Sequence, residues 1–126
     1  MKPIRTMIGA ATLLAALAAC SGGGAAASAS PPPEADVTVT AQGNVFDPKD
    51  IRVTAGEPFQ LFFRNLDGAP HNVAIYTDAT AADDIYVGEV ITDAVTLYEI
   101  PAIEPGTYPF RCDVHPDMVG NVVAEG

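Results

Sequence analysis

Three side chains able to hold a soft metal stand together in RCDVHPDMVG, the stretch from Arg111 to Gly120: the thiol of Cys112, the imidazole of His115 and the thioether of Met118. The chain of 126 residues has only 2 cysteines, 2 histidines and 3 methionines, so the stretch concentrates its scarcest residue types. Beyond Cys20, the sulfur and imidazole donors are His71, Cys112, His115 and Met118 and no others. His71 opens the segment HNVAIY, directly after a loop containing Gly68 and Pro70. A strand ending at Cys112 and running into a tight loop can aim Cys112, His115 and Met118 at one centre, and a neighbouring strand can bring His71 to it. One thiolate and two imidazoles in a plane, with a thioether further off on the axis, suit a single copper ion that passes between two oxidation states. The sulfur donors favour Cu(I), and the imidazoles accept Cu(II) as well.

Taken singly, each residue has a plainer reading: Met118 as flexible core filler, Cys112 as a small buried apolar residue, His71 as a hydrogen-bonded residue at a strand edge. Their joint spacing favours the metal. Zinc accepts cysteine and histidine but gains little from a thioether. Asp113 and Asp117 are hard donors suited to calcium, magnesium or manganese, and they are expected to face solvent. A Cys–His nucleophile would leave Met118 without a role. A centre with all four positions filled has no open place for substrate, which argues for electron transfer and against an enzyme.

The elements that must position these residues begin well into the chain. Lys2 and Arg5, followed by the apolar run Ile8 to Ala19, make a charged start and a hydrophobic segment shorter than the roughly 20 residues a membrane span requires, so residues 1–19 read as an export signal. The signal ends in LAAC, Leu17 to Cys20, which resembles the lipobox of bacterial lipoproteins. The resemblance implies that Cys20 is lipidated and that the protein is anchored to a membrane, on a periplasmic or extracellular face. Several acyl chains on one residue give stable attachment where a single chain does not. Residues 20–35, rich in Gly, Ala, Ser and Pro, carry too little large apolar surface to fold. As a coil they reach about 20–25 Å, stiffened at the far end by Pro31, Pro32 and Pro33. Removal of residues 1–19 takes away two of the 6 basic residues and none of the 16 acidic ones, leaving a formal charge of −12. Such a surface excludes nucleic acid as a partner and favours basic ones. With Cys20 committed to lipid, Cys112 has no disulfide partner, and a bound metal would protect it in an oxidising compartment.

Residues 36–126 form one small domain whose pattern is strand after strand. DVTVTA alternates Val37 and Val39 with threonines, DIRVTAG places Ile51 and Val53 on one face, and FQLFFRN does the same with Phe59, Leu61 and Phe63. Period-two alternation of this kind marks half-buried strands. Further candidates are residues 71–76, 85–91, 94–100, 106–112 and 120–125, separated by turns at Asp47-Pro48, Ala55-Gly56, Asp67-Gly68 and Pro105-Gly106. TDATAADD, residues 77–84, reads as a loop or one short helical turn. About eight short strands predict an all-β fold, an antiparallel Greek-key β-sandwich or barrel.

The ligand loop, the His71-Asn72 pair and the segments VFDPKDIRVTAGEPFQLFFRN and GTYPFRCDVHPDMVGNVVAE together resemble the cupredoxins, the small type 1 blue copper proteins. With Pro116 directly after His115, the loop is most similar to that of the amicyanins. The resemblance implies one copper per chain, with His71, Cys112 and His115 as in-plane ligands and Met118 as the axial one. It implies that Asn72 donates its backbone N–H toward the Cys112 sulfur and holds the ligand loop with its side chain. Where amicyanin-like loops have a proline before the second histidine, this chain has Val114, whose N–H is free to make a second bond to the thiolate. Ala69, Pro70, Val114 and Pro116 are the expected docking patch around His115, for a redox protein such as a c-type cytochrome, an oxidase or a dehydrogenase. A copper carrier delivering its ion to a larger cuproenzyme is the competing function. A monomer is expected.

Overall fold

The computed structural model describes Pro32 and residues 35–126. The expected export signal, Cys20 and nearly all of the 20–35 tether lie outside the described residues. The elements run β1 (Val37–Gln42), β2 (Val45–Asp47), β3 (Asp50–Thr54), β4 (Phe59–Asn65), β5 (Ala74–Tyr76), β6 (Asp84–Val87), β7 (Ala94–Ile100), β8 (Gly106–Arg111) and β9 (Val119–Glu125). Among the described residues there is no helix. The strands form a four-stranded sheet in the order β2-β1-β4-β7 and a five-stranded sheet in the order β3-β9-β8-β5-β6. The all-β sandwich read from the alternation is therefore present.

The alternating residues do what their spacing predicts. From one sheet Val39, Leu61, Phe63, Tyr98 and Ile100, and from the other Ile51, Ile75, Phe110, Val122 and Ala124, are all buried in one hydrophobic cluster. Each apolar face is covered by the other, which is the two-layer solution open to strands with one greasy side. Aromatic rings fill the centre. Phe63 stacks on Tyr98 with centroids 5.6 Å apart, and Phe46 meets Phe110 at 4.9 Å.

Three expectations need correction. The sheets are mixed, not antiparallel throughout, because β1 runs parallel to β4 and β3 parallel to β9. Alternation fixes which side of a strand is buried and carries no record of its partner's direction. Second, β2 is an additional strand, only three residues long, paired with β1 across a tight turn at Gly43 and Asn44. Both turn residues have positive φ, 63° and 58°, the left-handed conformation that a two-residue hairpin of the favoured twist requires and that Gly and Asn tolerate. Third, in HNVAIY the strand proper starts only at Ala74. His71 instead exchanges two backbone hydrogen bonds with Ile91, at 3.0 and 2.9 Å, and Val73 accepts one from Gly88 at 2.9 Å. In the segment 77–84, residues 77–83 are a loop closed by Thr77 N–H to the Asp83 carbonyl, with no helical turn, and Asp84 already opens β6.

Candidate metal centre

Cys112 directly follows β8 and Met118 directly precedes β9, so the residues between them form the hairpin loop of two paired strands. Two backbone bonds close that loop. Cys112 N–H donates to the Met118 carbonyl at 3.0 Å, and Met118 N–H donates to the His115 carbonyl at 2.9 Å. A thiol, an imidazole and a thioether are thus carried on one short ring of backbone. His71 arrives from the segment between β4 and β5, and β5 lies beside β8 with Ala74 opposite Arg111. Sheet pairing therefore delivers both halves of the cluster to the same end of the sandwich.

The four expected ligands are brought together. One donor atom each from His71, Cys112 and His115 lies within 4.8 Å of the others. Cys112 Sγ stands 3.6 Å from His71 Nδ1 and 3.7 Å from His115 Nδ1. Both distances match a shared ion: metal–nitrogen bonds of about 2.0 Å and a metal–sulfur bond of about 2.3 Å meeting at 120° put the donors about 3.7 Å apart. A thiol can donate its one proton to only one of the two imidazoles, whereas one cation accepts a lone pair from all three donors. His71 and Cys112 are completely buried, Met118 is 2% exposed, and His115 is half-buried. Cys112 is the one cysteine among the described residues and is free there.

The neighbouring residues explain how the rings and loop are held. His71 Nε2 donates to Asp67 Oδ2 at 2.8 Å, so Nδ1 is the nitrogen left to face Cys112. Asp67 in turn accepts from the backbone N–H of Gly43 at 2.9 Å and of Asn44 at 3.4 Å. The Gly43 bond does most to hold the Asp67 carboxyl below its ordinary value; partial desolvation opposes it and the His71 bond adds to it. The Asn65 side chain, fully buried, donates to the carbonyls of Ala69 and Ile91 and accepts from Asp67 N–H. Asn72 ties down the ligand loop as expected of its side chain: Oδ1 accepts from Asp113 N–H at 2.8 Å, while Nδ2 donates to the Gly88 carbonyl at 3.0 Å.

Asp113 corrects its own expectation. Its carboxylate is only 29% exposed and accepts from Tyr76 Oη at 2.5 Å, from Asn72 Nδ2 at 3.3 Å and from Arg111 Nε at 3.4 Å. The Arg111 guanidinium also lies over the Tyr76 ring, 4.9 Å from its centroid. Burial, and then the neighbouring Asp113, push the Tyr76 phenol above its ordinary value. Asp117 does face solvent. Of the expected docking residues, Pro70, Val114 and Pro116 are exposed and Ala69 is half-buried. Asp67 was visible in the sequence only as a turn residue. The one signal for its role was an acid four positions before an expected ligand histidine.

A two-sheet β-sandwich whose β8–β9 loop and β4–β5 segment close a buried cluster of two histidines, a cysteine and a methionine defines a class of small copper protein. The chain belongs to the cupredoxin-like domain family, which it matches over residues 9–124. Chloroplastic plastocyanin of Hordeum vulgare is 37% identical over 95 residues, covering 69% of this chain and 60% of that protein. Amicyanin of Paracoccus versutus is 33% identical over 76 residues, covering 60% of this chain and 54% of amicyanin. The chain thus matches little more than half the length of these two relatives. The crystal structure of Paracoccus versutus amicyanin superposes with a TM-score of 0.60 at 29% identity, covering 84% of this chain and 94% of amicyanin. Auracyanin of Roseiflexus castenholzii superposes at 0.64 with 18% identity, over 71% of this chain and 96% of auracyanin, a likeness of fold.

Proposed function

We propose that this protein is a type 1 blue copper electron carrier, passing single electrons between redox proteins at the surface of a cell-envelope membrane. The observation that carries the reading is the near-equal approach of two imidazole nitrogens, 3.6 and 3.7 Å, to one buried sulfur. Copper held by that set supplies a one-electron couple, with soft sulfur and borderline nitrogen leaving neither oxidation state strongly preferred. His71, Cys112, His115 and Met118 would be the residues that hold it. The chain's own part is to keep these donors fixed in both oxidation states. The two backbone bonds within the loop, the Asn72 side chain and the buried Asn65 all serve that end. The backbone N–H groups of Asn72 and Val114 are proposed donors to the Cys112 sulfur, where they would stabilise the reduced form.

Water is kept out by burial of His71, Cys112 and Met118, while His115 is half-buried, and Ala69, Pro70, Val114 and Pro116 would form the patch around it. That small apolar patch suits a brief encounter, since transient redox contacts are typically below about 1,200 Å². With four donors on one ion no coordination place is left for a substrate, so the protein is a carrier and not an enzyme. Export by residues 1–19, lipidation at Cys20 and the 20–35 tether would confine the domain to two dimensions within reach of a c-type cytochrome, oxidase or dehydrogenase.

A copper carrier needs donors that a recipient can reach, and here three of the four are buried. Voltammetry of the copper-loaded protein, followed by stopped-flow mixing with a basic c-type cytochrome, tests the proposal. A reversible one-electron wave and rapid exchange are expected. Rapid loss of Cu(I) to an apo acceptor, with slow electron exchange, would instead establish the carrier.

A further inference from the structure

We infer that Asp67 is the positioning residue for His71, and that the β1–β2 turn is its anchor. The inference rests on reading the cluster as a metal centre. An imidazole offers two nitrogens, and only the unprotonated one can bind a metal; which one that is depends on the bond the other makes. A carboxylate accepts and cannot donate, so the 2.8 Å contact places the His71 proton on Nε2 and leaves the Nδ1 lone pair toward Cys112. His71 is fully buried, and its backbone is pinned to Ile91 on both sides. The ring is therefore oriented by a side chain that is itself held.

What holds Asp67 is a turn distant in sequence. Gly43 and Asn44, with φ of 63° and 58°, present consecutive N–H groups on one side of the hairpin, and both donate to the Asp67 carboxylate. Successive amides in such a conformation form a concavity suited to an anion. Asp67 N–H donates to Asn65 Oδ1, and the Asp67 carbonyl accepts from Asp93 N–H at 3.1 Å. A chain of bonds thus runs from the β1–β2 hairpin through Asp67 to the ligand ring. This gives the short strand β2 a purpose beyond extending a sheet: it fixes the turn that fixes the acid.

The test uses the full chain in four forms: native, Asp67→Ala, Asp67→Asn and Asp67→Glu. Nitrogen-15 NMR of the metal-free protein, at a pH where histidine is neutral, reports the His71 tautomer without any metal present. Competition of added Cu(II) against a chelator reports affinity. In the native protein a single tautomer protonated at Nε2 is expected. Asp67→Ala should mix the tautomers and weaken Cu(II) binding about 10- to 100-fold. Asp67→Asn, which keeps the shape and an acceptor oxygen but not the charge, should lose less, and Asp67→Glu should restore the native tautomer in part. A single unchanged tautomer with native affinity in the alanine variant overturns the inference. Should that variant fail to fold, native affinity and native midpoint potential in Asp67→Asn overturn it instead. If no form binds Cu(II), the metal reading fails, while the tautomer still decides what Asp67 does to His71.

Discussion

Cys112 sits between two groups of residues that act on it differently. On one side are the imidazoles. On the other, Asp113 anchors the backbone next to the sulfur by accepting from Tyr76, Asn72 and Arg111. Asp113→Ala strands those three donors and should destabilise the protein by about 1–3 kcal/mol, measured by urea unfolding of the metal-free form. Tyr76→Phe, losing one bond, should cost about 1 kcal/mol by the same measurement. Val114 is the residue proposed to act on the sulfur itself. If its N–H bonds the thiolate, Val114→Pro removes that bond and the midpoint potential should fall; an unchanged potential in voltammetry rules the bond out. The four residues of the cluster were legible in the sequence, because sulfur and imidazole donors beyond Cys20 are few and closely spaced. Asp67 and Asp113 were not. Carboxylates are the commonest charged groups in this chain, and only the folded backbone shows which of the 16 acids is turned inward.

Strand positions followed from alternation wherever one face of a strand is more buried than the other, as in β1 and β3. Alternation failed where it carries no signal. Strand β5 is buried at all three positions, and β2 is too short to show a period. Partner direction, parallel for β1–β4 and β3–β9, is set by how the chain crosses between sheets and not by local pattern. Close packing between elements also hides from sequence. A Cβ added to Gly120 on β9 would lie 2.3 Å from the Lys49 carbonyl and 2.4 Å from Phe110 Cζ. The Phe110 ring is fully buried and packed on Phe46, and that carbonyl accepts from Asn121 N–H at 2.7 Å and is held. Gly120→Ala should therefore destabilise the fold by about 1–3 kcal/mol in chemical denaturation, as overpacking does. Retention of native stability would mean that β9 can move away from the β2–β3 connection.

Over the whole molecule, charge and burial set how the protein responds to its solution. With 16 acidic and 6 basic residues, its encounter with a basic redox partner should slow as ionic strength rises, visible as a falling second-order rate between low and physiological salt. Alkaline stability turns on Tyr98, which is 2% exposed, donates to the Glu89 carbonyl, and is pushed by burial above its ordinary value of 10.0. Because the folded state favours the neutral phenol, its contribution is intact below about pH 10 and is lost as pH rises from there through the folded value. Tyr76 and Tyr86, also raised by burial, act in the same direction. Urea midpoints measured from pH 8 to 12 should fall in the native protein and fall less steeply in Tyr98→Phe. The central claim, that a copper ion joins Cys112 to two histidines, is tested most directly by the absorption spectrum of the purified protein after loading with Cu(II), beside Cys112→Ser. An intense visible band from sulfur-to-copper charge transfer, present in the native protein and absent from the variant, is predicted. A colourless native protein, or a band that survives loss of the sulfur, would contradict the account.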